Sequence, residues 1–278
     1  MTEDEIKAIV IKYGHINPTK PQISLHKNRE IHCVEKSHMV PSSDTIPILN
    51  DACIKHIHSI VGTLLYYGRT VYNKLLVGLI YLSIQKSTAT KLTDAAANQL
   101  LDYVTTYPSD GTTYRASGMI LAAHSDDGFN NKSKARSQSG AHIFLSKNDP
   151  LPRFNSPVLT VAQIINFVMS SEADTEIGGL SITVKEMVPL HQKFIEMGWP
   201  QPPYPIKTDN TTATVVVNNT IFQKKMKMMN TCFYWLCCQK RQYQFSFYWD
   251  AGSKKWDNYR TNNHYLEYHE AHRPTHAG

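Results

Sequence analysis

Three short stretches place acids where phosphoryl chemistry needs them: His124-Ser125-Asp126-Asp127-Gly128 after an apolar run, Ser170 to Ile177 (SSEADTEI) opening a helix-like segment, and Ile206-Lys207-Thr208-Asp209-Asn210 after a strand-like run. Each puts a carboxylate at the end of an expected strand or the start of an expected helix, where sharp turns gather distant side chains. Asp126 leaves the first strand, Glu176 sits in the first turn of a long helix, and Asp209 ends the fourth strand. Three such carboxylates suit two-metal hydrolysis of a phosphodiester. Hard oxygen ligands hold magnesium, and two ions roughly 4 Å apart activate water on one side and stabilise the leaving oxygen on the other. Singly, each acid has a structural reading: Asp126 in a turn, Glu176 as a helix N-terminal charge, Asp209 as an N-cap. Their joint order in separate elements favours a shared site.

The elements that must position these acids follow from periodicity. Residues 1–50 carry Pro18, Pro21, Pro41 and Pro47 with no sustained period, and read as a linker or a remnant of something larger. From Asp51 to about Thr106 the pattern is helical, with Ile54, Ile57, Ile60, Val61, Leu64 and Leu65 at three- and four-residue steps. Thr93-Asp94 reads as a capped start, and Pro108-Ser109-Asp110-Gly111 as a turn and domain boundary. Strands are then expected at Gly118 to His124, Ala141 to Ser146 and within Val158 to Met169, with Asp127 to Gly140 as the longest polar turn. A helix over Glu172 to Met197, a strand over Pro205 to Thr208, a short helix at Thr211 to Asn218, a helix at about Gln223 to Arg241 and a strand at Gln244 to Trp249 complete the order. That order implies an α/β domain with a mixed sheet covered by helices.

The bulk properties narrow the partners. With 278 residues and 41% hydrophobic content the chain supports a real core. Its formal charge is +6, and the excess lies between Phe222 and Arg260, where eight cations face only Asp250 and Asp257. A basic stretch beside gathered carboxylates suits a polyanion, although a solvated charged face explains many such runs equally well. Cys33, Cys53, Cys232, Cys237 and Cys238 form no ligand or framework pattern and read as reduced intracellular thiols. His264, His269, His272 and His276 have no cysteine pair at zinc-ligand spacing. The polar, acidic start is unlike a secretory signal, and the apolar run Leu75 to Ile84 falls well short of the roughly 20 residues a bilayer span requires. These features lead us to expect a soluble, intracellular protein with Leu75 to Ile84 as a core helix.

The motifs also resemble a known family. HSDDGF at His124 to Phe129, KARSQSGAHIFLS at Lys134 to Ser146, SSEADTEIGGL at Ser170 to Leu180, TDNTTA at Thr208 to Ala213, FYW at Phe233 to Trp235 and QFSFYW at Gln244 to Trp249 resemble the ribonuclease H domain of copia-type retrotransposon Pol polyproteins. Upstream, IVGTLLYYGR at Ile60 to Arg69 and QLLDYVTTYPSDG at Gln99 to Gly111 resemble the helical region that follows the polymerase in these elements. The resemblance implies a ribonuclease H-like mixed sheet flanked by helices over 113–278, a helical connection segment over 51–112, and a linker or polymerase-region remnant over 1–50. It implies cleavage of the RNA strand of an RNA–DNA hybrid, with Asp126, Glu176 and Asp209 as catalytic metal ligands for two Mg2+ ions, Mn2+ being a possible substitute. Ser137 and Ser139 fall in the matching RSxSG pattern as nucleic-acid contacts, and the polymerase region of the same polyprotein is an implied partner.

Departures from the family pattern are equally specific. Where the family has a fourth metal-binding aspartate and a downstream lysine, this chain has Asn258 and Asn262. Near FYW it has Asn230, Cys232, Cys237 and Cys238 where the family shows an acid and arginines. Asp to Asn and Arg to Cys each need one transition in a codon, which is the pattern of unselected decay. The polymerase's aspartate-pair motif is missing. Two readings therefore stand: a ribonuclease H, or a decayed, non-catalytic retroelement fragment that at most binds nucleic acid.

The basic stretch supplies a test. If Lys224, Lys225 and Lys227 line a hybrid-binding face, binding falls steeply with salt because each neutralised phosphate releases condensed counterions. Neutralising the three lysines together is expected to make the salt slope shallower in fluorescence anisotropy, by a similar amount for hybrids of unrelated sequence. An unchanged slope would mark a solvated face.

Overall fold

A computed structural model of the chain describes residues 3–25, 47–85, 88–132, 136–149, 151–166, 169–208, 210 and 230–249. These fall into two units, one ending at Thr113 and one beginning at Tyr114. The expected short helix at Thr211 to Asn218 and the start of the helix expected from Gln223 lie outside the described residues.

The first unit is helical: α1 (Glu3–Tyr13), α2 (Asp51–Thr70), α3 (Leu75–Ile84) and α4 (Lys91–Thr106). Helix α1 stands in a stretch where no sequence period marks an element. It is held from outside itself: Tyr13 Oη contacts Thr63 Oγ1 of α2 at 2.6 Å, and His15 just beyond α1 pairs with Asp102 of α4 at 2.8 Å. Helix α2 starts at an Asn50 cap, whose side chain accepts from Cys53 N at 2.9 Å, and buries the stripe Ile57, Ile60, Leu64 and Gly68. Helix α3 is the core helix its composition leads one to expect, with Leu75 to Ile80 and Leu82 all buried. It passes so close to its neighbours that a Cβ at Gly78 would stand 3.3 Å from Leu25 O. Helix α4 begins two residues before the expected start. Thr90 is the cap and Thr93 its reciprocal partner, with Thr90 N donating to Thr93 Oγ1 at 3.1 Å. Among the described residues no helix is long and apolar enough to cross a membrane.

The second unit is the expected α/β domain. Strands β1 (Ile120–Lys132), β2 (Arg136–Ser146) and β3 (Pro157–Ile164) precede helix α5 (Glu172–Glu196) and strand β4 (Tyr204–Thr208). Helix α6 (Asn230–Arg241) and strand β5 (Phe245–Trp249) follow. The sheet order is β3-β2-β1-β4-β5. Strands β1, β2 and β3 form an antiparallel meander, whereas β4 runs parallel to β1, and β5 to β4. A parallel neighbour cannot be reached by a tight turn, so α5 must cross over the sheet between β3 and β4. Its stripe Ile177, Leu180, Val184 and Met187 packs with Leu121, Ala123, Ile143, Tyr204, Ile206 and Phe247 into one core, which Phe233 and Leu236 of α6 complete. Each such fully buried side chain contributes about 2 kcal/mol.

Two expectations need correction. The first strand does not end at His124; it runs on through Asp126 and Asp127, pairing them with Gly140 and Ser139. The residues expected as a long polar turn are thus mostly the two arms of a hairpin. Their polar side chains hide the strand because hydrogen bonding across the pair, not hydrophobic alternation, holds them. The second correction concerns Glu176: the first turn of α5 holds Glu172 and Asp174, with Ser171 capping Asp174 N at 3.1 Å, so Glu176 begins the following turn.

His191 of α5 is buried against the Tyr204 ring of β4, with ring centroids 5.3 Å apart. Burial lowers its pKa, opposed in part by the backbone of Pro202 and Gln201 and by the Gln244 side chain. A histidine whose folded pKa lies below its unfolded value of about 6.5 leaves the unfolded chain with more protons, so stability is full above that pH and falls as pH drops through it. Thermal melting is expected to fall from pH 7.5 toward pH 5.5 by about a few degrees, and to fall less in His191→Phe. Equal slopes in the two proteins would remove His191 as the cause.

Candidate functional site

The site begins where β4 stops. Strand β4 pairs with β1 through Ala123↔Ile206 and His124↔Lys207, and its last residue, Thr208, is fully buried. Thr208 Oγ1 donates to Glu176 Oε2 at 3.4 Å and accepts from Asn210 N at 3.3 Å. The hydroxyl thus ties the exit of the fourth strand to the acid of α5. Glu176 is 4% exposed and Asp126 7%, so both carboxylates are held within the fold.

The pleat decides which side chains meet. On β1, Leu121 and Ala123 enter the core beneath α5, and Ser125 Oγ stands 3.2 Å from Thr183 Oγ1 of that helix. Alternation therefore gives Ser125 and Asp127 the helix face, and His124 and Asp126 the other. His124 on that other face sits among rings: 5.1 Å from Phe144 and 5.5 Å from Phe154, with Tyr248 Oη 3.4 Å from its Nε2. On the helix face, Asp127 packs where Gly179 has no side chain; a Cβ there would land on its carboxylate.

Of the residues singled out from sequence, Asp126 and Glu176 are described, on β1 and α5. Asp209, Asn258, Lys224, Lys225 and Lys227 lie outside the described residues. Ser137 and Ser139 are in the interior of β2, not in a turn, and are 3% and 0% exposed. The Ser137 hydroxyl accepts from Asn130 N at 3.2 Å, tying the two arms of the hairpin. Among the described residues no group of three His, Cys, Asp or Glu side chains is gathered to hold a metal ion. Sequence reasoning missed Thr208, Asp127 and Gly179. A two-residue period carried past His124 would have found Asp127; nothing local announces the Thr208 contact, which spans 32 residues.

No family model matches the chain, and no curated protein does. Solved structures similar to part of it include a ribonuclease H1 isolated from compost by a metagenomic approach, at 11% identity over 49% of this chain and 87% of that one, TM-score 0.37. The same protein in complex with an RNA/DNA hybrid is similar at 9% identity, covering 49% of this chain and 88% of that one, TM-score 0.37. The N-terminal RNase H domain of a Mycobacterium tuberculosis protein is similar at 11% identity, covering 55% and 97%, TM-score 0.38. At these values the similarity assigns no role to any residue.

The Thr208 contact is open to test. Thr208→Val keeps the shape and removes the hydroxyl, so it is expected to cost about 1 kcal/mol in chemical denaturation. Unchanged stability would show that the hydroxyl does not hold Glu176.

Proposed function

We propose that this chain carries a ribonuclease H-type domain of a copia-type retrotransposon Pol polyprotein, hydrolysing the RNA strand of RNA–DNA hybrids. The observation that carries the reading is the Thr208 to Glu176 hydrogen bond beside the parallel β1–β4 pair. It ties the exit of β4 to the acid of α5, and β4 pairs with β1 just before the Asp126 motif. In this reading the domain spans 113–278, residues 51–112 are the connection segment, and residues 1–50 are the polymerase-region remnant.

The residues present fit a hard divalent cation. Carboxylates are the hard oxygen donors that magnesium or manganese takes, and Thr208 adds a hydroxyl beside Glu176. Asp126, Glu176 and Asp209 would hold the metal, with the neutral amide of Asn258 as a weaker fourth ligand. Bound there, two ions would supply an activated water and stabilise the leaving oxygen. The chain's own contribution is to hold the acids: Thr208 donates to Glu176 and fixes its carboxylate, while burial keeps bulk water from competing. Lys224, Lys225 and Lys227 meet the backbone of the hybrid. A-form geometry and 2′-hydroxyls, more than base sequence, select the substrate. The polymerase region of the same polyprotein is the natural partner.

Asn258 and Asn262 favour a second reading, a non-catalytic fragment that retains hybrid binding. The two are separated by a magnesium-dependent cleavage assay on a labelled hybrid, with Glu176→Gln as the inactive control. Cleavage is expected in the parent chain and more in Asn258→Asp, since an anionic oxygen attracts a hard cation more strongly than an amide. Hybrid binding without cleavage in both proteins would establish the second reading.

A further inference from the structure

Strand β5 ends in a tryptophan that the packing of the strand leaves half in water. Phe245 and Phe247 enter the core and are 2% and 8% exposed. Trp249, two residues further along the same face, is 50% exposed. Strand β5 is also an edge strand, with β4 as its neighbour in the sheet, so Trp249 stands at a corner where both the sheet and the core end. An indole carries a large apolar surface, and half of it here forgoes the burial that the two phenylalanines obtain.

That corner is the one at which Glu176 is held. In the parallel β4–β5 pair Trp249 is the partner of Thr208, as Phe247 is of Ile206 and Phe245 of Tyr204. Paired residues share a face, and Ile206 and Tyr204 lie in the same core as the two phenylalanines. Thr208 Oγ1 donates to Glu176 Oε2 at 3.4 Å, and Asn210 N bonds back to the same hydroxyl at 3.3 Å. Trp249 is therefore one strand spacing, about 4.8 Å of backbone separation, beyond the residue that holds the acid.

A flat, half-exposed aromatic beside a site for a nucleic-acid strand suits one interaction above others, stacking on a nucleobase. Bases inside a paired duplex are covered on both faces by their neighbours, so the base that can stack here is an unpaired one. We propose that Trp249 is a stacking platform for a single-stranded nucleotide that continues out of a hybrid bound at Glu176. The inference rests on the proposed function and adds a substrate class to it, hybrids that carry a single-stranded extension. Trp249 acts in binding and meets the face of a base rather than its edge, so the preference is for the extension and not for its sequence.

The test measures fluorescence anisotropy of labelled hybrids titrated with the full chain, without divalent metal so that no strand is cut. A blunt hybrid is compared with the same hybrid carrying a short single-stranded tail on either strand. The parent is expected to bind at least one tailed form about fivefold more tightly than the blunt one. Trp249→Leu keeps apolar bulk and removes the flat ring. It is expected to melt near the parent temperature by circular dichroism, to bind the blunt hybrid as the parent does, and to lose the preference for the tail. Trp249→Phe, which keeps a ring, is expected to retain most of that preference. A parent that binds blunt and tailed hybrids equally, a preference that survives in Trp249→Leu, or an equal loss for both hybrids in that variant would overturn the role of Trp249 and leave the proposed function standing. No binding of any hybrid by the parent would overturn both.

Discussion

The close approach of α5 to β1 governs the rest of the second unit. At Gly179 the helix comes near enough that only a residue without a side chain leaves room for Asp127. The approach follows from topology: β4 lies parallel to β1, so the chain must cross the sheet between β3 and β4, and the crossing element is α5. Where that helix begins decides where Glu176 comes to rest. The Ser171 cap sets the beginning, its side chain accepting from Asp174 N at 3.1 Å, while Ser170 Oγ donates to the Asp174 carboxylate.

Along α5 apolar and polar interior contacts interleave. Ile177, Leu180, Val184 and Met187 meet the apolar face of the sheet, and this burial supplies most of the driving force. Between them the partners on other elements are polar: Glu176 with Thr208, and Thr183 with Ser125. The apolar stripe positions the helix without specifying its register to a fraction of an ångström. The hydrogen bonds add that precision, because they weaken steeply with misalignment. An acid-bearing site needs both, since a carboxylate taken out of water must be met by groups already in place.

The first unit is organised around burial of a different kind. Helix α3 is enclosed nearly all round, so α2 and α4 need only present one apolar stripe each. Its borders are pinned by buried hydroxyls. Tyr72 Oη donates to Asp110 Oδ2 at 2.8 Å and stands 2.7 Å from Tyr103 Oη, joining the segment after α2 to the end of α4 and the turn beyond it. Burial raises the Tyr72 pKa far above its ordinary value, with the nearby Tyr103 and Asp110 adding to the effect, so the hydroxyl stays protonated and able to donate.

Much of this was legible in the chain itself, because periodicity is a local property. The stripe of α5, the apolar run of α3 and the alternation in Phe245 to Trp249 each identify an element without reference to any other residue. The α/β class and the mixed sheet follow from the order of those elements. Helix α1 was not legible, since its contacts with Thr63 and Asp102 lie far along the chain. The extension of β1 through Asp126 and Asp127 was hidden because its strand character comes from pairing with Gly140 and Ser139 rather than from its own composition. Motif and spacing selected Asp126 and Glu176 as acids of interest. Only the folded chain decided that Asp127 faces α5, that Gly179 makes room for it, and that Thr208 holds Glu176. The physical reason is that side-chain direction depends on pleat and register, and register is fixed by partners distant in sequence.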